Sequence, residues 1–369
     1  MPRLNAQNSG QTRCIVFVND SVKARQLLTP FVNTIEYAYP FINAFGVSVF
    51  VHKFDDLVSL PCVKAVSPNT LVKVNLKKER EVLGVVNFNH ELGYGDGVGV
   101  CVIDTGVRPH LDFLVPADRI NFVDFTSNRL SCYDDNGHGT AVSSIICGNG
   151  LVSGCNFCGV APKANLISLK AIGSNGEANA FKILQAMQWI YDNCDKYNIK
   201  VVCMSFGSEP VVSGIDPLSQ GAESLWKRGL TVVCSAGNDG PEYGTIKSPG
   251  INLNVITVGG AEIMSDGVVK IPDFSSRGSV GNFVKPDVVA PSVDILTCGH
   301  KTDYQTHSGT SMSAPIVAGA TAVLLSKYPK LTNNRIKELF IQTALPLEFD
   351  QNTCGSGLID LYKIYQNFI

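Results

Sequence analysis

The chain has 369 residues, 45% of them hydrophobic and 17% charged, so it is long enough to bury one large core and a smaller second one. A formal net charge of −2 and the absence of a basic run interleaved with aromatic residues argue against nucleic acid as a partner. The longest apolar segment, around residues 314–325, is too short to span a bilayer, and residues 1–14 lack the apolar core of a signal peptide. These features predict a cytoplasmic protein without a membrane segment; a secreted protein is the alternative if an N-terminal signal was removed.

Twelve cysteines occur, but a chain of this length does not need a disulfide scaffold. Cys101, Cys203 and Cys234 each lie inside a β-branched run, where a thiol packs as a small apolar group. Most of the twelve are therefore predicted to be reduced core residues. Cys155 and Cys158 form the one CxxC motif. A zinc site would need a second pair of ligands at a suitable spacing, and the sequence has none. We therefore interpret the two residues as a pair of thiols in a loop, with redox sensitivity as an option.

The first part of the chain reads as a small unit. Its patterns predict a strand over 12–20, a helix over 22–39 ended by Pro40, a strand over 45–51, a short helix over 53–61 and a strand over 63–74. The charged segment over 77–81 has the composition of an exposed linker. The predicted boundaries are thus 1–75 for this unit, 76–82 for the linker and 83–369 for the main domain.

From about residue 92, apolar strands alternate with helices. Strands are predicted over 98–103, 166–171, 201–205, 231–235 and 255–258, and helices near 141–147, 180–193 and 218–228. This alternation is typical of a parallel sheet covered on both faces, in which catalytic groups gather beyond the carboxyl ends of the strands. The Gly-rich segment over 93–99 precedes a strand instead of following one, so it does not predict a dinucleotide site.

Three residues in the main domain carry groups suited to nucleophilic chemistry. Asp104 ends an apolar strand, although Gly106 makes a helix cap or turn an equally good interpretation on its own. His138 lies between two glycines at the start of a small-residue helix, where a single histidine is more often structural. Ser311 lies where an extended loop meets an apolar helix, so it is either a polar cap or a nucleophile at the positive end of a helix dipole.

Together the three residues supply what acyl transfer needs. A serine hydroxyl is a poor nucleophile unless an imidazole accepts its proton, and a carboxylate fixes the tautomer of that imidazole. The chain order Asp104, His138, Ser311 is the order known for subtilisin. The local sequences VIDTGV, NGHGTAV and GTSMSAP closely resemble the three signatures of the subtilisin-like serine protease family. The resemblance implies an α/β, three-layer subtilisin-like fold with a mostly parallel central sheet, preceded by a small α+β domain.

The resemblance also implies further site residues. Asn238, otherwise a turn-forming residue, matches the family's oxyanion-hole asparagine, with the backbone N–H of Ser311 as second donor. Substrate is expected to add as a strand between two edges, one formed by Ser205, Phe206 and Gly207 and the other by Gly176, Glu177 and Ala178. The pocket before the cut is expected between the first edge and a wall of Ser235, Ala236 and Gly237. Lys247 aligns with its floor and would favour an acidic or amide side chain, unless it is an ordinary exposed lysine.

Residues 1–75 resemble the family's propeptide, which assists folding, inhibits the enzyme and leaves its last strand in the cleft. The resemblance implies self-processing in the linker region, with Asn75 as the best candidate for the residue before the cut. No cofactor is expected. The loop over 149–158 does not match the family's calcium loop, and with Asp112 as one carboxylate ligand, calcium remains an unassigned candidate for a structural ion.

Three functions are compatible with these observations. The first is a self-maturing serine endopeptidase of broad specificity, expected to be a monomer that acts on peptides or proteins and takes its own propeptide as inhibitor. The second is a dedicated processing protease for one peptide precursor. The third is a binding or regulatory protein whose prodomain is never released. The intact set of four catalytic groups argues against this third function.

Overall fold

The computed structural model of the chain describes residues 10–74, 93–114, 119–211, 214–278, 283–300 and 302–366. The predicted linker and Asn75 lie outside these residues. The strands are β1 (Gln11–Val18), β2 (Thr34–Tyr39), β3 (Ala44–Phe50), β4 (Val63–Pro68), β5 (Leu71–Val74), β6 (Gly99–Asp104), β7 (Ile120–Asp124), β8 (Asn165–Lys170), β9 (Glu177–Asn179), β10 (Ile199–Met204), β11 (Phe206–Gly207), β12 (Thr231–Ser235), β13 (Ile256–Ile263), β14 (Val269–Lys270), β15 (Val288–Pro291), β16 (Ile295–Cys298) and β17 (Tyr304–His307). The α-helices are α1 (Ser21–Leu28), α2 (Phe54–Val58), α3 (Leu111–Leu114), α4 (His138–Cys147), α5 (Ala180–Asn193), α6 (Pro217–Lys227), α7 (Thr310–Lys327), α8 (Asn333–Thr343), α9 (Gln351–Cys354) and α10 (Leu361–Gln366).

The N-terminal unit is an antiparallel sheet of four strands in the order β2-β3-β1-β4. Because successive side chains of a strand point to opposite faces, β1 contributes to two cores. Cys14 and Val16 pack with α1 and β3 in a core of the unit itself. Ile15 and Phe17, on the other face, belong to the same buried cluster as the main domain. The two parts of the chain therefore share apolar packing.

The predicted helix over 22–39 is wrong in its second half. Helix α1 ends at Leu28, and residues 34–39 form β2 instead. Pro30 accounts for the end of the helix, because proline has no backbone N–H with which to continue it. The final strand predicted over 63–74 is also divided, since β4 joins the N-terminal sheet whereas β5 pairs with β9 and β11 in the main domain.

The main domain is built on a sheet in which β7, β8, β6, β10, β12, β13 and β15 run parallel and β14 is antiparallel to β13. The five predicted strands all occur, with ends shifted by a few residues; β7 and β15 were not predicted. Helices α4 and α7 pack together on the sheet, as α5 and α6 do. This is the predicted α/β architecture with flanking helices.

Helix α7 lies at the centre of the domain and contacts β6, β10, β12, β13 and β15. Every residue from Thr310 to Leu325 is buried. This agrees with the apolar helix predicted after Ser311, and Pro315 lies near its start, where a missing N–H costs little. Among the residues described, no helix combines the length and apolarity needed to cross a membrane.

The N-terminal unit docks on α5 and α6. The Tyr39 hydroxyl donates to the Phe181 carbonyl at 3.2 Å, and the Ser224 hydroxyl donates to the Phe41 carbonyl at 3.1 Å. The rings of Tyr37 and Phe181 meet edge to face with centroids 5.6 Å apart. Aromatic and polar contacts thus fix the unit over the two helices, and β5 leaves it toward β9 and β11.

All twelve cysteines are free thiols, and eight are buried, as predicted for core residues. Burial raises the pKa of Cys14, Cys147 and Cys203 to about 12. A thiol in the unfolded chain ionises near pH ~8.5. A thiol whose pKa is higher in the folded protein than in the unfolded chain stabilises the fold. This stabilisation is fully present below the pKa of the unfolded thiol, and it is lost as the pH rises toward the pKa of the folded one.

We therefore expect the free energy of unfolding to fall above about pH 8.5, each such thiol contributing about 1.4 kcal/mol per pH unit. Cys203→Ala should make the slope shallower by that amount in urea titrations under reducing conditions, in protein that also carries Ser311→Ala. Val202→Ala is the matched control, because it removes buried volume from the same strand but no titrating group. Parallel slopes for Cys203→Ala and its parent would contradict the prediction.

Candidate active site

Asp104 is the last residue of β6, which lies in the middle of the parallel sheet between β8 and β10. Its side chain is 1% exposed. The Oδ1 atom accepts hydrogen bonds at 2.7 Å from both Nδ1 of His138 and the backbone N–H of Thr105. The carboxylate is therefore held at the carboxyl edge of the sheet, where the sequence pattern placed it, and it touches the predicted histidine.

His138 is the first residue of α4 and is fully buried. Because Nδ1 faces a carboxylate oxygen, Nδ1 carries the proton of the neutral imidazole, and Nε2 has the lone pair that can accept one. Nε2 has no hydrogen-bond partner among the described residues. The ring is thus oriented with Nε2 as the atom that can accept a proton.

The turn before His138 is organised by Asp134. Its carboxylate accepts from the backbone N–H groups of Asn136, Gly137 and Thr140 at 2.7–3.0 Å and from the Thr140 hydroxyl at 2.6 Å. Burial alone would raise the pKa of Asp134, but these hydrogen bonds hold it below its ordinary value. Gly137 has φ +112°, a conformation that favours glycine. The carboxylate and the glycine together aim the first residue of α4 at Asp104.

Ser311 is the second residue of α7 and is fully buried. Around it, the Thr310 N–H donates to Asn238 Oδ1 and the Met312 N–H donates to the Gly309 carbonyl, both at 2.9 Å. The Ser311 hydroxyl donates to the carbonyl of Ser205 at 2.8 Å. For His138 to take its proton, the hydroxyl has to turn away from that carbonyl.

Asn238 follows β12 and is tied to the start of α7. Its Oδ1 accepts from the backbone N–H and from the hydroxyl of Thr310, both at 2.9 Å. The Thr310 hydroxyl also contacts the N–H and the carbonyl of Gly237 at 3.1 Å. Thr310 therefore fixes the amide oxygen of Asn238, and with it the orientation of the amide group.

The two predicted substrate edges are paired with a strand of the same chain. In antiparallel register, Val74 and Lys73 of β5 lie opposite Phe206 and Gly207 of β11. On its other side, β5 pairs with β9, Lys73 lying opposite Glu177 and Val72 opposite Ala178. Gly176 precedes β9, and Ser205 precedes β11 and contacts Ser311. The sequence-predicted edges thus flank one extended segment that leads toward Ser311.

Lys247 lies between the two predicted walls of the pocket. Its backbone N–H donates to the Ala236 carbonyl at 2.9 Å. The side chain is only 12% exposed, so Lys247 is not an ordinary surface lysine. Its Nζ pairs with Asp239 at 2.5 Å and with Glu209. An acidic preference based on a lone positive charge does not follow from this geometry, because two carboxylates already face the ammonium group.

A family model described as the Subtilase family matches residues 95–357 of the chain. The chain belongs to the subtilase family. It is 35% identical over 295 residues to the serine protease AprX of Bacillus subtilis (strain 168), covering 72% of this chain and 65% of that protein. It is 32% identical over 266 residues to subtilisin Savinase of Lederbergia lenta, covering 72% of this chain and 90% of that protein.

The crystal structure of fervidolysin from Fervidobacterium pennivorans, described as a keratinolytic enzyme related to subtilisin, resembles this subtilase with a TM-score of 0.77. The match covers 98% of this chain and 62% of that chain at 21% identity, so it shows the fold alone. The family and fold that three short motifs predicted are therefore confirmed. The chain spans about two thirds of AprX and of fervidolysin.

Lys170 is a site residue of this subtilase that the sequence reasoning missed. Its buried Nζ donates to the carbonyls of Thr105 and Ile172 at 2.7 and 3.1 Å and pairs with Asp135 at 2.7 Å. It thereby joins the loop after Asp104 to the loop before His138. A signal existed, because Lys170 is a charged residue at the end of a buried strand, as Asp104 is.

Calcium does not fit the one cluster of three candidate ligands among the described residues. His110, Asp112 and Cys298 are buried and bring ligand atoms within 4.8 Å of one another. Calcium takes six to eight oxygen ligands, whereas this set offers an imidazole and a thiol beside one carboxylate. That carboxylate already accepts from the Val152 N–H at 2.9 Å and the Tyr304 hydroxyl at 2.7 Å. Asp112 thus acts as a hydrogen-bond centre that ties the loop over 149–158 to β17.

Thr310→Val tests how Asn238 is held. The change keeps the shape of the side chain and removes the hydroxyl that lies 2.9 Å from Asn238 Oδ1. A neutral hydrogen bond contributes about 1 kcal/mol, or about a fivefold change in rate. We expect kcat for peptide cleavage to fall about fivefold and KM to change little, because the hydroxyl contacts Asn238 and Gly237 and not the substrate edges. Thr310→Ser retains the hydroxyl and should keep most of kcat; equal losses in both variants would contradict the role.

Proposed function

We propose that this subtilase is a serine endopeptidase that hydrolyses peptide bonds through an acyl-enzyme. The observation that supports it most directly is the buried 2.7 Å contact between Asp104 and Nδ1 of His138, at the sheet edge where α7 presents Ser311. Packing of a buried carboxylate against an imidazole does not by itself require a serine at the start of a nearby helix. The three groups together match the requirements of acyl transfer.

In the proposed mechanism, Ser311 Oγ attacks the carbonyl carbon of the substrate while Nε2 of His138 takes the hydroxyl proton. Asp104 keeps Nδ1 protonated and stabilises the imidazolium that forms. The carbonyl oxygen becomes an oxyanion, which accepts from the Asn238 amide and the Ser311 N–H. His138 then gives its proton to the leaving amine, and water repeats the sequence to release the acid and restore the serine.

We further propose that residues 1–75 act as an inhibitory prodomain. The pairing of β5 with both β9 and β11 supports this, because a substrate is expected to add to the same two edges. Val74 lies opposite Phe206, the residue after Ser205, whose carbonyl contacts Ser311. A segment held there occupies the cleft as a substrate would, so it excludes other peptides until it is cut and displaced.

We also propose that the protein is cytoplasmic. Twelve free cysteines, eight of them buried, support a reducing compartment, since oxidising compartments favour disulfides. Relatives named as subtilisins are among the matches, and a secreted protein remains the alternative.

Self-processing is tested by mass spectrometry of the full-length protein after incubation. We expect the wild type to shorten by cleavage near residue 75 and Ser311→Ala to keep all 369 residues. Ser313→Ala is the matched control, because Ser313 is a buried serine on the same helix whose hydroxyl donates to Ala290 at 2.9 Å. It should still shorten. If Ser311→Ala is processed, the nucleophile is wrong; if the wild type stays intact yet digests a denatured protein, only the zymogen proposal fails.

Asn238→Ala tests the oxyanion donor. We expect kcat to fall by about 10²–10³ with little change in KM, which is the range known for loss of such a donor in subtilisin. The measurement is steady-state cleavage of a fluorogenic peptide by processed enzyme. Asn252→Ala serves as control, since that side chain is also buried and hydrogen-bonded, to Ser219, but belongs to no part of the proposed site. An unchanged kcat in Asn238→Ala would remove the residue from the mechanism.

A further inference from the structure

Lys170 lies beside Asp104 at the carboxyl edge of the sheet. It is the last residue of β8, and the parallel register of β6 and β8 places its Cα opposite that of Asp104, the last residue of β6. The lysine is 1% exposed. A buried ammonium group is costly unless acceptors and an opposite charge satisfy it. Neighbouring strand ends thus bring a buried ammonium group and a buried carboxylate to the same part of the site.

The ammonium group of Lys170 has three N–H donors, and each of them has an acceptor. Nζ lies 2.7 Å from the Thr105 carbonyl, 2.7 Å from Asp135 Oδ1 and 3.1 Å from the Ile172 carbonyl. The first acceptor lies in the loop after β6 and the second in the loop before α4. Because all three donors are used, Lys170 acts on the site through these loops and not by contact with a substrate.

Thr105 connects the lysine to the contact between Asp104 and α4. Its carbonyl accepts from Lys170, its N–H donates to Asp104 Oδ1 at 2.7 Å, and its Oγ1 accepts from the Gly139 N–H at 2.8 Å. The loop and the helix are in direct contact, because a Cβ built on Gly139 would be 2.2 Å from the Gly106 carbonyl oxygen. A displacement of Thr105 would therefore move the carboxylate relative to the first turn of α4.

We propose that Lys170 is a positioning residue for the contact between Asp104 and His138. It holds the loops on which both residues depend, through Thr105 on one side and Asp135 on the other. The charges of Lys170 and Asp135 also help to set the pH at which His138 loses its proton. The inference rests on the proposed protease function, in which His138 has to be neutral to accept a proton.

Each charge acts on His138 with a definite sign. Charged side chains around the start of α4 are those of Asp104, Arg108, Asp134, Asp135 and Lys170. Cys203 on β10 is neutral near neutral pH, because burial raises its pKa to about 12. Lys170 opposes the positive charge of an imidazolium ion, so its removal should let His138 keep its proton to higher pH. Removal of the Asp135 charge leaves the ammonium group without its counter-charge and should have the opposite effect.

The pH dependence of kcat/KM of the processed enzyme tests these signs, because its acid limb reports the essential base of the free enzyme. We expect the acid limb to move to higher pH in Lys170→Met and to lower pH in Asp135→Asn, each by between a few tenths and about one pH unit. The double variant removes one charge of each sign, so its limb should lie close to that of the wild type. Lys163→Met and Asp96→Asn are matched controls without a shift, since this exposed pair, joined at 3.4 Å, precedes β8 at its opposite end. Shifts of the same sign in Lys170→Met and Asp135→Asn, or no shift in either, would overturn the inference.

Turnover separates position from charge. Lys170→Met removes the donor to two buried carbonyl groups, so we expect kcat to fall by about 10- to 100-fold with a smaller change in KM. The double variant should keep this low kcat although its acid limb is restored, because it also lacks the ammonium group. A lysine that only stabilises the fold would lower Tm but leave kcat and the acid limb of Lys170→Met as in the wild type, which would overturn the inference. If Lys170→Met does not fold, the shift in Asp135→Asn decides, because Asp135 is 45% exposed and its replacement leaves the lysine in place.

A titration in protein that carries Ser311→Ala keeps the inference distinct from the proposed function. NMR of the His138 ring nitrogens in the full-length chain follows its protonation without catalysis, and the midpoint should move in each variant as the acid limb does. Digestion of a denatured protein by the wild type, but not by Ser311→Ala, reports the protease. If digestion occurs and the midpoint does not move, only the inference fails; if the midpoint moves without digestion, only the protease proposal fails.

Discussion

The contact between Asp104 and His138 is the interaction on which the rest of the site depends. Both side chains are buried, so the carboxylate needs hydrogen-bond donors; the imidazole and the Thr105 N–H both donate to Oδ1, whereas Oδ2 has no partner among the described residues. The sheet makes the contact by ending β6 at Asp104, while Asp134 starts α4 at His138. Lys170 connects the loop after Asp104 to the loop before His138. The contact between Asp104 and His138 is thus fixed by a network of backbone carbonyls and carboxylates, and does not depend on surface loops alone.

Backbone hydrogen bonds also hold the extended segment in the cleft. Strands β9 and β11 are three and two residues long, and short exposed edges of this kind have unpaired N–H and C=O groups. Strand β5 pairs with both, so it satisfies the groups to which a substrate is proposed to add. If residues 1–75 are the prodomain that we propose, inhibition and substrate binding are one kind of interaction, which differs only in whether the segment is joined to a domain packed on α5 and α6. The polar contacts of Tyr39 and Ser224 and the shared apolar cluster hold that domain in place.

The sequence predicted what depends on local pattern. The five apolar strands, the buried helix α7 and the positions of Asp104, His138 and Ser311 at element ends all follow from periodicity and motif. It did not predict residues whose partners are distant in the chain, such as Thr310, which contacts Asn238 across 72 positions, or Lys170, which contacts Thr105 across 65. The helical periodicity over 22–39 does not distinguish residues 34–39, which form β2 by pairing with β3, from the helix before them.

Lys247 and Lys285 show how surroundings decide what a buried lysine does. Lys285 is 1% exposed, and burial lowers its pKa to about 8 despite the carboxylate of Asp287. Burial would also lower the pKa of Lys247, but the hydrogen bonds that its ammonium donates to Asp239 and Glu209 raise it above its ordinary value, so this ammonium stays charged and paired. The two carboxylates that keep Lys247 charged also offset its charge, so they remove the attraction for acidic groups that the lysine alone would have.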